Sequence, residues 1–212
     1  MDSLKYRELR QSIIAAALYM QRSGMIKGTS GTVSVRVEEG ILITPSSVPY
    51  EELVPESICL VSLDGEVLQG GRPSSEMPLH LAVYRAREDV GAVVHSHSKF
   101  STIMASLCEV LPAVTVPGCE IWPVRSAGFQ LPGSDELAQA AVEALGDGCA
   151  AILQHHGLIC ACANLKKAMS AAEYVEENAE IAYRLKLAGC DAAISESYVR
   201  KLKDTLASGK AI

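Results

Sequence analysis

A short apolar run, residues 91–94, ends in His95-Ser96-His97, and any fold of this chain has to accommodate that sequence. The β-branched residues before the histidines predict a strand over residues 90–97. Alternate side chains of a strand share a face, so we expect His95 and His97 to project together. Their Cα atoms would lie about 6–7 Å apart, close enough for both imidazoles to bind one metal ion. Surface histidines at a strand end would produce the same motif, so both interpretations stay open at this point.

Short apolar runs and helical patterns alternate along the 212 residues. Helical patterns cover residues 4–23, 76–88, 101–107, 134–145 and 164–189, with a further short helix in the last twenty residues. Strand patterns cover residues 33–37, 41–44, 58–63, 66–68, 90–97, 150–153 and 158–162. Three prolines interrupt residues 109–125, where we expect short strands and loops. Hairpin turns join several strands, which predicts a single α/β domain over residues 1–212: a three-layer α/β/α sandwich with a largely antiparallel central sheet.

Composition narrows the classes of partner and the compartment. The net charge is −6 and the chain contains no run of basic residues, so we expect neither nucleic acid nor a membrane as partner. The seven cysteines are an odd, scattered set, which indicates free thiols in a reducing cytoplasm. We expect no signal peptide, and residues 13–20 are too short for a membrane span, so the sequence predicts a soluble cytoplasmic protein.

A second predicted strand end carries His155-His156, followed by Gly157. Neighbouring residues of a strand face opposite ways, so we expect only one of this pair to point at the same site as His95 and His97. Three nitrogen ligands leave one position for water or substrate, which is the arrangement of catalytic zinc. Four of the five histidines fall at two strand ends, and this favours a metal site over scattered packing residues.

Residues 74–76 (Ser-Ser-Glu) are typical of a helix N-terminus, with a serine as N-cap and Glu76 in the first turn. Helix N-termini also bind anions, because free N–H groups point outward there. Two further turns, residues 28–32 and 46–47, are rich in glycine and hydroxyl groups, and the three turns together predict a phosphate pocket without a P-loop. His80, one helical turn after Glu76, either supports that carboxylate or packs against the sheet, and we favour packing.

Five segments of the chain resemble, in the same order, those of the class II aldolase/adducin family. They are residues 28–36, 43–46, 73–76, 93–97 and 153–158. The resemblance spans about residues 8–188 and implies a homotetramer with sites between subunits and one Zn²⁺ per subunit, with Mn²⁺ or Co²⁺ as alternatives. It assigns the metal to His95, His97 and His156, and makes Glu76 the proton-transfer residue that also contacts the metal. It assigns the substrate phosphate to Gly31, Thr32, Ser46, Ser47, Ser74 and Ser75.

The resemblance implies cleavage of a ketose 1-phosphate, such as L-fuculose 1-phosphate or a related deoxy sugar phosphate, to dihydroxyacetone phosphate and an aldehyde. In this reaction a metal-stabilised enediolate would receive its proton from Glu76. Alternatives on the same scaffold are an aldolase for 5-deoxyribulose or 5-methylthioribulose 1-phosphate, a sugar-phosphate dehydratase, and a 4-epimerase, although epimerases usually have Asp in place of Glu76. An adducin-like structural module, the alternative without catalysis, has no need for three converging histidines and a glutamate.

The chain departs from the family pattern at several positions. Thr32 stands where the family's aldolases usually have Asn, and Ser47 where they usually have Gly, changes that narrow the phosphate pocket without removing its donors. Val116 aligns with a catalytic tyrosine, and Tyr198 is the only candidate for a second one. We therefore expect this chain to differ from those aldolases in how it handles the aldehyde half of its substrate.

Overall fold

The protein was analysed as a computed structural model that describes residues 4–208. The helices in this range are α1 (Arg7–Arg22), α2 (Met77–Ala86), α3 (Lys99–Ala105), α4 (Val116–Ile121), α5 (Asp135–Leu145), α6 (Leu165–Leu187) and α7 (Glu196–Ala207). The strands are β1 (Thr32–Val37), β2 (Gly40–Ile43), β3 (Cys59–Val61), β4 (Val67–Gln69), β5 (Ala92–Ser96), β6 (Arg125–Ala127), β7 (Ala150–Leu153) and β8 (Gly157–Cys162). Two single turns of 3-10 helix, Tyr50–Glu52 and Pro55–Ser57, lie between β2 and β3.

The eight strands form one sheet in the order β4-β3-β2-β1-β5-β8-β7-β6. Every neighbouring pair is antiparallel except β6 and β7. One face of the sheet packs against α1, α3 and α6, and the other packs against α2 and α5, so two separate apolar cores flank the strands. This arrangement confirms the predicted three-layer α/β/α sandwich with a largely antiparallel sheet.

Two helix starts form as their sequences predict. The Ser134 hydroxyl accepts the backbone N–H of Leu137 at 3.1 Å, and the Asn164 side chain accepts the N–H of Lys167 at 3.0 Å. Each cap satisfies a backbone donor that the helix itself leaves unpaired, and such caps stabilise a helix by about 1 kcal/mol. Helices α5 and α6, which lie on opposite faces of the sheet, therefore begin at the residues whose side chains cap them.

The prediction for residues 109–125 is wrong in part, because α4 forms inside this segment. Pro117 lies in the first turn of α4, where a missing N–H breaks no helical hydrogen bond. The Thr115 hydroxyl caps the helix by accepting the N–H of Gly118 at 2.9 Å. Asn178, on the distant helix α6, accepts the N–H of Val114 at 3.0 Å and so holds the segment from the side. Pro117 therefore stands at a helix start, where a proline is compatible with regular structure.

The start of α2 also differs from the prediction by one position. The helix begins at Met77, and Glu76 itself occupies the N-cap position instead of the first turn. The Ser74 hydroxyl accepts the N–H of Glu76 at 3.2 Å, which is a turn contact before the helix and not an N-cap bond. Glu76 therefore stands at the junction between the serine turn and the helix.

The seven cysteines all lie in the described range, and none of them forms a disulfide. No helix within residues 4–208 has the length and apolar character that a membrane crossing requires.

Candidate metal and phosphate site

Three histidine side chains meet at one end of the sheet. His95 is on β5, His97 follows that strand directly, and His156 lies in the turn between β7 and β8. One ligand nitrogen from each ring lies within 4.8 Å of the other two, and the His95 and His97 Nε2 atoms are 3.1 Å apart. The strand geometry thus brings His95 and His97 together as predicted, and the neighbouring hairpin adds a third imidazole.

The turn between β7 and β8 selects His156 over His155. His155 has a φ of 56°, the left-handed conformation that reverses the chain, and its ring packs against Phe129 with centroids 5.9 Å apart. Gly157 then brings the start of β8 against the end of β5, because a Cβ at this position would lie 2.1 Å from the carbonyl oxygen of Ser96. His156, between these two residues, is directed to the cluster and is 8% exposed.

Burial keeps these imidazoles neutral. It lowers the pKa of His95 well below its usual value, lowers that of His97, and lowers that of His156 to about 4, with the neighbouring histidines adding to the effect on His95 and His156. Nδ1 of His95 lies 3.0 Å from the carbonyl oxygen of Leu158, so it carries the proton and leaves the Nε2 lone pair free. Nδ1 of His156 is buried and has no hydrogen-bond partner among residues 4–208. Three neutral nitrogen donors so close together are a suitable ligand set for zinc and similar ions.

Glu76 is 8% exposed, and its Oε2 atom has no hydrogen-bond partner in the described part of the chain. Burial raises the pKa of its carboxyl group, and the backbone N–H of Gly133 opposes that rise. Gly133 approaches closely, since a Cβ there would lie 3.2 Å from the carbonyl oxygen of Ser75. The carboxylate does not belong to the group of atoms within 4.8 Å that the three histidines form. Sequence reasoning missed Gly133, whose only signal is its position just before the N-cap of α5.

The three hydroxyl-rich turns adjoin one another. The Thr32 and Ser74 hydroxyl oxygens are 2.6 Å apart, and the Ser74 N–H donates to the carbonyl of Thr44 at 3.0 Å. The Ser46 N–H donates to the carbonyl of Arg72 at 2.9 Å, which joins the second turn to the third. Thr32 is also the cross-strand partner of His95, so the turns lie beside the histidine cluster. The residues assigned to the phosphate by resemblance stand on these turns or, for Thr32, at the start of the strand that follows: Gly31, Thr32, Ser46, Ser47, Ser74 and Ser75.

Two details explain how these turns keep their shape. Ser47 has a φ of 61°, so it adopts the left-handed conformation that glycine, usual at this position in the family's aldolases, enters most easily. The buried hydroxyl of Tyr50 accepts the N–H of Gly31 at 3.1 Å and donates to the carbonyl of the same residue. Burial raises the pKa of Tyr50 to about 12, so the hydroxyl keeps its proton. Sequence reasoning missed Tyr50, because nothing local connects it to a turn nineteen residues earlier.

The structure also places the two residues that were compared with the tyrosines of the family's aldolases. Val116 is the first residue of α4 and is 53% exposed, and Tyr198 lies on α7 with 69% of its side chain exposed. Neither belongs to the buried cluster within the single chain. His80, by contrast, is fully buried, which is compatible both with packing against the sheet and with support of Glu76.

Comparisons with known proteins identify the family of this chain. The family model described as Class II Aldolase and Adducin N-terminal domain matches residues 11–183. A 5-deoxy-D-ribulose 1-phosphate aldolase of Bacillus thuringiensis serovar kurstaki is 41% identical over 197 residues, covering 91% of this chain and 92% of that protein. An L-fuculose phosphate aldolase of Escherichia coli K12 is 37% identical over 180 residues, 84% of each chain. A solved structure of L-fuculose 1-phosphate aldolase superposes with a TM-score of 0.91 at 28% identity, covering 98% of this chain and 100% of that one. The chain therefore belongs to the class II aldolase/adducin family.

Proposed function

We propose that this class II aldolase cleaves a ketose 1-phosphate into dihydroxyacetone phosphate and an aldehyde. The proposal rests above all on the convergence of three neutral imidazoles beside hydroxyl-rich turns and a buried carboxylate. A purely structural module gains nothing from such a cluster, because burying polar groups without partners destabilises a fold. The cluster thus favours catalysis over an adducin-like structural role.

In this proposal His95, His97 and His156 hold a divalent metal ion. Zn²⁺ is the preferred ion because all three donors are neutral nitrogens, and Mn²⁺ or Co²⁺ are alternatives. The chemistry that such an ion supplies when bound is Lewis-acid polarisation of the sugar carbonyl and stabilisation of negative charge that develops during carbon–carbon cleavage. The hydrogen bond between His95 Nδ1 and Leu158 keeps the correct ring nitrogen available to the ion. Contact of Glu76 with the metal stays a prediction of the family resemblance.

The substrate phosphate is bound by the three turns. Hydroxyl groups of Thr32, Ser46, Ser47, Ser74 and Ser75 and nearby backbone N–H groups, including that of Gly31, supply neutral donors to an anion. Phosphate bound here would place the attached carbon chain next to the histidines, because Thr32 pairs with His95 across the sheet.

Glu76 transfers the proton. Burial raises the pKa of its carboxyl group, and a carboxyl group with a raised pKa is suited to donating and accepting a proton near neutral pH. The nearby N–H of Gly133 favours the charged form of the carboxyl group and so limits that rise. During cleavage, the hydroxyl of the other fragment loses its proton to water as it becomes the aldehyde. Protonated Glu76 then gives its proton to the carbon that the broken bond leaves electron-rich, and dihydroxyacetone phosphate is released.

The aldehyde half is the part on which related enzymes differ. Val116 supplies no hydroxyl where the family's aldolases have a tyrosine, so this position cannot take the proton from the hydroxyl that becomes the aldehyde during cleavage. A relative named 5-deoxy-D-ribulose 1-phosphate aldolase and another named L-fuculose phosphate aldolase match over most of the chain. We therefore propose a deoxy sugar 1-phosphate as substrate, with L-fuculose 1-phosphate and 5-deoxyribulose 1-phosphate as the two compounds to compare first.

The decisive assay measures dihydroxyacetone phosphate released from a panel of ketose 1-phosphates, with and without a chelator. We expect release that the chelator abolishes and added Zn²⁺ restores, and release that persists in a metal-free enzyme would refute the proposal.

The neighbouring residues His155 and His156 provide a matched pair of variants. His156→Ala should lose both metal and activity, whereas His155→Asn, which tolerates the left-handed conformation, should keep both. Glu76→Gln should keep the metal and lose about 10²–10⁴-fold in turnover.

We also propose that the enzyme is a homotetramer with active sites at subunit interfaces. Large apolar side chains are exposed on the single chain, among them Phe129, Leu131 and Leu187, and burying them between copies would remove apolar surface from water. Sedimentation of the 22.6 kDa chain would test this directly, and a monomer at micromolar concentration would contradict it.

A further inference from the structure

A buried polar chain links α2 to β1 one helical turn after Glu76. The Ser34 hydroxyl oxygen lies 2.6 Å from His80 Nδ1 and 2.9 Å from the Tyr84 hydroxyl oxygen. The side chains of Ser34 and His80 are fully buried and that of Tyr84 is 1% exposed. Arg36 lies over the Tyr84 ring at 4.9 Å and holds it in place. Such a chain costs desolvation that an apolar core would avoid, so its position relative to the active site is informative.

Two hydrogen-bonded contacts, called ties here, join residues 74–80, the segment that contains Glu76, to β1, and the contact between His80 and Ser34 is one of them. Thr32 and Ser34 are two residues apart on β1 and therefore share a face. Thr32 contacts Ser74 at 2.6 Å, and Ser34 contacts His80 at 2.6 Å. The two ties stand on either side of Glu76 in the chain, so they fix both ends of the segment that carries its carboxylate.

The same strand is paired with the strand that carries the metal-site histidines. Thr32 on β1 is the cross-strand partner of His95 on β5. The Glu76 carboxylate has few contacts of its own, since Oε2 has no partner within residues 4–208 and Gly133 supplies a single backbone N–H. The position of the carboxylate relative to the histidines therefore depends on how α2 is tied to β1.

We propose that His80 is a positioning residue: its hydrogen bond to Ser34 holds the Glu76 carboxylate at the distance from the histidine cluster that proton transfer requires. This inference rests on the proposed function, because it presumes that Glu76 transfers the proton. Misplacement of a catalytic group by about 1 Å can reduce a rate by about 10²-fold. Substrate phosphate would still meet its turns, since the tie between Thr32 and Ser74 does not involve His80.

Two substitutions at His80 and one at Ser34 test the proposal in the metal-loaded enzyme. His80→Leu removes the tie, and we expect kcat and the exchange of solvent deuterium into dihydroxyacetone phosphate to fall together by about 10²-fold, with KM and bound metal unchanged. His80→Asn places an amide near the former Nδ1 and should restore most of the rate. Ser34→Ala breaks the tie from the other side and should match His80→Leu. Crystal structures of the metal-free variants should show Glu76 displaced relative to His95 in His80→Leu and Ser34→Ala, but not in His80→Asn.

Arg85→Gln is the matched control on the same helix. It removes a hydrogen bond of 2.7 Å from α2 to the carbonyl of Leu63, at the end of the helix away from Glu76, and should leave kcat unchanged. Wild-type kcat in Ser34→Ala would overturn the proposal, also when His80→Leu does not fold. A lower kcat, a higher KM and less bound metal in His80→Leu, without rescue by His80→Asn, would overturn it as well, because that pattern indicates a structural role. Failure of the proposed function is a separate result, visible as absence of metal-dependent exchange in the wild-type enzyme.

Discussion

Gly157→Ala should damage the metal site through the backbone alone. A Cβ at this position would lie 2.1 Å from the carbonyl oxygen of Ser96, whereas real Cβ atoms essentially never approach a neighbour within 3.0 Å. The start of β8 and the end of β5 would therefore have to separate by close to 1 Å. His156 precedes Gly157, and His95 and His97 flank Ser96, so this separation would widen the cluster directly.

The magnitude follows from overpacking. Inserting a methyl group into a tightly packed contact costs about 1–3 kcal/mol, which lowers the melting temperature of a chain of this size by about 2–12 °C. Displacement of the ligands should also weaken metal binding by about 10–100-fold, as loss of ligand support does elsewhere. Melting curves of the metal-free protein and competition with a chelator measure the two effects separately. Gly128→Ala is the control, because a Cβ there meets nothing within 4 Å. Wild-type stability and metal affinity in Gly157→Ala would refute the reasoning.

Three further predictions concern the supporting contacts. Tyr50→Phe leaves the N–H and carbonyl of Gly31 without their hydroxyl partner, and should cost about 1–3 kcal/mol in urea unfolding and raise KM more than it lowers kcat. Asn178→Leu strands the backbone groups of residues 112–115 that Asn178 now pairs, and should lower the free energy of unfolding by at least about 3 kcal/mol. Burial lowers the pKa of His80 to about 3, so between pH 6.5 and 3 the unfolded chain binds the extra proton at this residue. His80 should therefore contribute about 1.4 kcal/mol per pH unit to the fall of stability with decreasing pH, beside the contributions of His95, His97 and His156. Urea unfolding of the metal-free protein at several pH values checks this, and a slope unchanged in His80→Asn would contradict it.

Several parts of the site follow from local sequence. His95 and His97 share a face because the side chains of a strand alternate, and no distant contact is needed for that. The caps at Ser134 and Asn164 form from side chains within three residues of the N–H groups they accept. Most helices and strands could also be predicted from the sequence, because the apolar periodicity that marks each element lies within that element.

Contacts between residues far apart in the sequence determine which histidines meet and which residues support the turns. The selection of His156 over His155 depends on the left-handed turn and on the close approach of Gly157 to Ser96, some sixty residues away. Tyr50 is hydrogen-bonded to Gly31, and Asn178 is hydrogen-bonded to the segment before α4. No local sequence pattern predicts either contact. Local sequence therefore specified which side chains were available as ligands, whereas the pairing of β5 with β8 specified which three of them meet, because strand pairing is settled by packing across the whole sheet.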